Sequence, residues 1–135
     1  MKRISFCAAV ALVIAGAALA QPVPSPVQPS PVKRTILGKT DVPGSNYEVL
    51  VASVELQPGF KAGRHTHPGT VFGQILEGEF FYAPDGQPEK IFKAGETVEV
   101  PAGTVHNEGA VGSVPVKFIG TYVVEKGKPL VSPVK

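Results

Sequence analysis

Glycine and proline interrupt this chain so often that no long helix can run through it. Beyond residue 34 the turn signals recur at Pro58-Gly59, Glu77-Gly78-Glu79, Pro84-Asp85-Gly86, Ala94-Gly95 and Pro101-Ala102-Gly103. Proline lacks a backbone donor and glycine adopts positive φ without strain, so such positions end regular structure and turn the chain. Between them lie short runs rich in β-branched and apolar residues: Tyr47 to Leu56, Val71 to Leu76, Glu79 to Ala83, Lys90 to Lys93, Thr97 to Val100, Val105 to Glu108 and Val116 to Val124. None of them sustains a 3.6-residue period. Many short strands with regular turns form a sandwich or a small barrel, so the chain is predicted to be all-β.

The first 20 residues read differently. Lys2 and Arg3 precede an almost wholly apolar run from Phe6 to Ala20, which ends in Ala18-Leu19-Ala20. That order of charge, short apolar run and small residues is the pattern of a cleaved secretory signal, and it predicts a periplasmic or secreted protein beginning near Gln21. Residues 21–33 follow as a linker. Pro22, Pro24, Pro26, Pro29 and Pro31 stand close together there, which favours an extended, solvated tether. The barrel is then expected over 34–128, with a C-terminal tail over 129–135.

Processing alters the chemistry available. Cys7 is the only cysteine and lies within the signal, so the mature chain has no thiolate for catalysis or for metal binding. The full chain has 13 basic and 11 acidic residues. Loss of Lys2 and Arg3 leaves 11 of each, a net charge of zero. No basic surplus remains to attract nucleic acid or an anionic membrane surface.

Three histidines are present, His65, His67 and His106. Residues two apart on an extended chain face the same side, so His65 and His67 project together and Thr66 points away. His106 follows the turn Pro101-Ala102-Gly103, which aims a new strand. Neutral imidazoles converging from adjacent strands suit a divalent ion such as Fe, Mn, Ni or Zn, with positions left for water or substrate.

The spacing of these residues resembles the cupin superfamily, as in a small single-domain, cupin 2-like exported protein. Gly59, five residues, His65-Thr66-His67 and a later Gly78 follow the first cupin motif. Gly95, five residues, Pro101-Ala102-Gly103, two residues and His106 follow the second. The resemblance implies one cupin double-stranded β-helix, a jelly-roll-type barrel of six to eight strands with a metal in its mouth, and a homodimer. Two positions depart from the pattern. Val71 stands where the motif places a metal-binding Glu, and Ala110 stands where the second motif ends in Asn. Glu108 shares the face of His106 on a regular strand. It is therefore the candidate replacement ligand, second-sphere partner or catalytic base.

Alternation turns Gly73 and Ile75 inward with Val71. Phe60, Phe72, Phe80, Phe81, Phe118, Ile91 and Val100 supply apolar bulk. A cavity walled by Val71, Ile75 and phenylalanines suits a small, partly apolar ligand. Tyr82 and Tyr122 stay unplaced at this level. Two functions remain open: a metal-dependent enzyme, of oxygenase type, acting on a small organic substrate, and a non-catalytic module that binds a small molecule or a metal.

Overall fold

The computed structural model describes residues 30–135. The expected signal segment with Cys7, and most of the proline-rich linker, lie outside the described residues. Ten strands follow in order: β1 (Val32–Asp41), β2 (Tyr47–Leu56), β3 (His65–Thr66), β4 (Gly69–Glu77), β5 (Glu79–Pro84), β6 (Lys90–Lys93), β7 (Thr97–Val100), β8 (His106–Val111), β9 (Val116–Glu125) and β10 (Ser132–Pro133). They form two five-stranded sheets, ordered β1-β2-β9-β4-β7 and β10-β3-β8-β5-β6, with antiparallel pairing throughout. The fold is the all-β cupin double-stranded β-helix. Its ten strands exceed the six to eight implied by motif spacing. β3 and β10 are only two residues long and β1 has mixed polarity, so none carries a clear alternating signal.

Period-two alternation builds the core. On β2 the side chains of Leu50, Ala52, Val54 and Leu56 are buried while those between them are half-buried. On β9 the inward row is Val116, Phe118, Gly120, Tyr122 and Val124. Val71 and Ile75 face inward on β4, as alternation requires. Phe80, Val98 and Val100 close the core from β5 and β7. Each fully buried apolar side chain contributes about 1.5–3 kcal/mol of transfer free energy.

Two expected core residues lie outside it. Phe72 and Ile91 are each 41% exposed. Phe72 sits between inward Val71 and Gly73, so alternation itself turns it outward. Ile91 sits on β6, an edge strand paired with β5 alone in its sheet, opposite Phe81.

The turn residues act as their chemistry dictates. Gly78 joins β4 to β5 at φ 79°, and a Cβ there would meet the Pro115 carbonyl at 2.6 Å. β1 begins at Val32 and pairs with β2 along its length, with a register shift between Ile36 and Gly38. Near the C-terminus, Ser132 and Pro133 pair with Thr66 and His65. The last residues thus lie against the strand that carries the first histidine.

Candidate metal centre

β3 and β8 run antiparallel with His65 and His106 as Cα partners. This register brings the two motifs together across one ladder position. His67 lies one residue beyond β3 and returns to the same side. All three imidazoles are buried, with ring centroids 4.3–5.1 Å apart.

A glycine makes the approach possible. Lys61 bridges to Gly109 on β8, and the Ala110 amide donates to the Phe60 carbonyl at 3.0 Å. A Cβ on Gly109 would lie 2.0 Å from that carbonyl oxygen. Only glycine lets the segment before His65 rest on β8. Asn107 then accepts from the Gly63 amide at 2.9 Å and fixes the entry into β3.

Backbone carbonyls orient each ring. His65 Nδ1 lies 2.8 Å from the Gly63 carbonyl, His106 Nδ1 2.8 Å from the Thr104 carbonyl, and His67 Nδ1 2.6 Å from the Leu130 carbonyl. A carbonyl only accepts, so each Nδ1 carries a proton, and in the neutral imidazole each Nε2 presents its lone pair. The Nε2 atoms of His65 and His106 are buried and have no hydrogen-bond partner. Buried acceptors of this kind normally find one. Two lone pairs aimed into a shared space, with the opposite nitrogens fixed by carbonyls, form the usual surroundings of metal-bound histidine.

Glu108 completes the cluster. Its Oε2 is 3.4 Å from His106 Nε2, its Oε1 is 3.9 Å from His65 Nε2, and its side chain is 18% exposed. His65, His67, His106 and Glu108 each offer one donor atom, all within 4.8 Å of one another. Position 71 on β4 supplies no carboxylate, while β8 brings one beside the imidazoles, two residues after His106. The cluster thus offers four potential donor atoms, the three histidines with Glu108, the candidate named from strand alternation. Val71 is instead a core residue, paired with Val100 and Tyr122.

The electrostatics follow from the crowding. Burial pushes the Glu108 carboxyl up, but the imidazoles of His106, His65 and His67 outweigh it and hold it below its ordinary value. Burial pulls His106 down, and Glu108 with the Thr104 carbonyl outweighs it, leaving His106 raised. Burial dominates at His67 and lowers it. The result is one ionised carboxylate among imidazoles. Three nitrogens and one hard oxygen, with no sulfur, are a donor set for Fe, Mn, Ni or Zn.

The tyrosines unplaced by sequence border this cluster. The Tyr82 ring lies 5.2 Å from His106 and the Tyr122 ring 6.0 Å from His67. A cavity of about 270 Å³ opens beside His65 and Glu108. Its apolar wall is Val54, Leu56, Phe60 and Phe118, with Arg34 at its edge. The expected wall of Val71 and Ile75 is not among its lining. Those residues lie on β4, whereas the cavity opens toward β1 and β2. Arg64, next to His65 in sequence, pairs instead with Asp85.

Sequence reasoning missed two contributors. Arg34 belongs to no motif. The Leu130 carbonyl belongs to a segment that looked like a plain tail, and backbone acceptors leave no trace in side-chain patterns.

Comparison with known proteins places this geometry in context. Residues 52–125 match the cupin domain family, Cupin_2. No curated protein matches the sequence. Among solved structures, the chain is similar to a cupin-like protein from Thermotoga maritima, at 30% identity over 76% of this chain and 75% of that one, with a TM-score of 0.63. It is similar in fold to a conserved protein with a double-stranded β-helix domain from Klebsiella pneumoniae, at 19% identity, 80% and 88% coverage and a TM-score of 0.63. The DMSP lyase DddQ from Ruegeria pomeroyi shares the fold at 20% identity, with 67% of this chain and 44% of that chain covered and a TM-score of 0.58.

Proposed function

This chain belongs to the cupin domain family, and from that premise we propose that it binds one divalent metal ion through His65, His67, His106 and Glu108 and presents it to a small organic ligand. The supporting observation is the pair of buried, partnerless Nε2 atoms facing a carboxylate within one four-donor cluster. Without an ion, each orphaned acceptor carries a desolvation cost of about 1–3 kcal/mol. An ion turns that cost into a bond.

The role is that of a metal-dependent enzyme of oxygenase type acting on a small organic substrate. Bound there, the ion would supply Lewis-acid chemistry or, as iron, dioxygen activation. The chain's own residues do the rest. Carbonyls of Gly63, Thr104 and Leu130 hold the rings in one tautomer. Val54, Leu56, Phe60 and Phe118 give the ligand an apolar wall beside the donors. The N-terminal 20 residues support export of the protein, and the family resemblance supports pairing of two copies.

A second reading is favoured by one observation. Among the described residues, Glu108 is the only carboxylate lining the cavity, and it also belongs to the donor cluster. Capture of a ligand without turnover would need no separate acid or base. Oxygen uptake by iron-loaded protein, followed with phenols, diketones and thiols, separates the two. Substrate-dependent uptake that is lost in His67→Ala supports the enzyme. Metal bound at full occupancy with no uptake for any of the three classes overturns it in favour of capture.

A further inference from the structure

Among the described residues, Arg34 is the one arginine or lysine lining the cavity beside His65 and Glu108. It lies on β1, upstream of residues 52–125, so it belongs to no part of the family match. Its register partner on β2 is Val54, 1% exposed, so Arg34 stands on the inward row although it remains exposed at the sheet edge. The two arginines among the described residues differ in their surroundings. Arg64 is tied to Asp85 and to the Lys135 carbonyl oxygen. Arg34 forms no ion pair among the described residues.

Its place is set by an aromatic support. The Arg34 guanidinium carbon lies 5.9 Å from the centroid of the Tyr122 ring. Tyr122 can lie there because the neighbouring inward position is Gly120, where a Cβ would meet Tyr122 Cε2 at 2.7 Å. Gly120 is itself in register with Ala52 and Gly73, a row with little side chain across the middle of the sheet. The ring thus bridges the space between His67, 6.0 Å away, and Arg34. The Arg34 distance is within cation–π reach, so the ring favours the guanidinium on the cavity side of the sheet.

An arginine beside an apolar cavity, with no carboxylate partner among the described residues, suits a ligand carboxylate, which it binds through two parallel hydrogen bonds. We infer that Arg34 anchors the carboxylate of a small organic acid whose apolar body lies along Val54, Leu56 and Phe118 toward the His65 and Glu108 end of the cavity. This inference rests on the metal reading above. A divalent ion beside ionised Glu108 leaves one formal positive charge, and Arg34 adds a second, so an anionic ligand is drawn in where its neutral analogue is not. The cavity volume of about 270 Å³ suits a small organic acid.

The test is calorimetric titration of the full, zinc-loaded chain with two acids and their neutral isosteres: benzoate against benzamide, and succinate against succinamide. Zinc content is measured in every sample. At least one acid is expected to bind about tenfold or more tighter than its amide. Arg34→Gln is expected to weaken that acid by roughly 10- to 100-fold and leave the amide and the zinc content unchanged, and Arg34→Lys is expected to recover part of the loss. Zinc uptake with neither acid preferred over its amide overturns the assignment and leaves the metal reading intact. Acid affinity unchanged in Arg34→Gln does the same. Failure of the unaltered protein to take up zinc, and then iron, nickel and manganese in turn, overturns both.

Discussion

Replacing His106 by Phe separates the cost of an orphaned ligand from the gain of a bound ion. His106 is fully buried, and Phe keeps a planar ring there. The substitution removes one partnerless Nε2, which relieves about 1–3 kcal/mol. It also removes the hydrogen bond to the Thr104 carbonyl, a loss of about 1 kcal/mol. Glu108 loses an imidazole 3.4 Å away but keeps His65 at 3.9 Å. These terms offset, so under a chelator the variant should lie within about 2 kcal/mol of the unaltered protein. Zinc changes the comparison. At a hundred times its dissociation constant, zinc stabilises the unaltered protein by about 2.7 kcal/mol. If losing one ligand weakens binding by about a hundredfold, the same zinc gives the variant only about 0.4 kcal/mol. The difference of about 2.3 kcal/mol corresponds to roughly 10–20 °C in Tm for a domain of this size. Thermal unfolding followed by circular dichroism, with chelator and with zinc, reads both numbers. Equal zinc-induced shifts in the two proteins would refute the place given to His106. A chelated variant that cannot fold would refute the reasoning about its nitrogen.

Other perturbations read other parts of the site. Glu108→Gln keeps the shape but removes the only anionic donor, so zinc affinity by competition with a chelating dye should fall about tenfold or more. Val71→Glu puts a second carboxylate into a core position 5% exposed. It should cost about 3–5 kcal/mol in urea unfolding under a chelator, and an unchanged midpoint would contradict the burial of position 71. Gly109→Ala drives a Cβ to 2.0 Å from the Phe60 carbonyl. It should destabilise the fold and lower zinc affinity together, whereas Gly86→Ala, with open space around it, should leave zinc affinity unchanged.

The sheet architecture was legible because turn chemistry is local. Pro84-Asp85-Gly86 and Gly78 mark reversals that the structure contains, and β2, β5, β6, β7 and β9 fall on the apolar runs between such signals. The histidine cluster was legible for the same reason, since two short motifs each place their histidine on a defined side of a strand. Glu108 was visible as a residue sharing a face with His106. How close it comes to His65 was not visible, because that depends on how β8 sits against β3. The cavity wall was misassigned on similar grounds. Alternation correctly turns Val71 and Ile75 inward, but it does not say which inward residues pack together and which border a gap. β1 and β10 were overlooked because edge pairing is made by backbone groups and needs no side-chain pattern. Arg34 and the Leu130 carbonyl reach the site through those two strands or beside them, so they were hidden with them.

The central claim is that one ion sits among four named side chains. Diffraction from metal-loaded crystals on both sides of the metal absorption edge tests it most directly, alongside elemental analysis of the same protein. The account predicts about one equivalent per chain and a single anomalous peak about 2.0–2.2 Å from Nε2 of His65, His67 and His106 and from a Glu108 oxygen. A peak elsewhere on the chain, or none after exposure to Zn, Fe, Ni and Mn in turn, would contradict it.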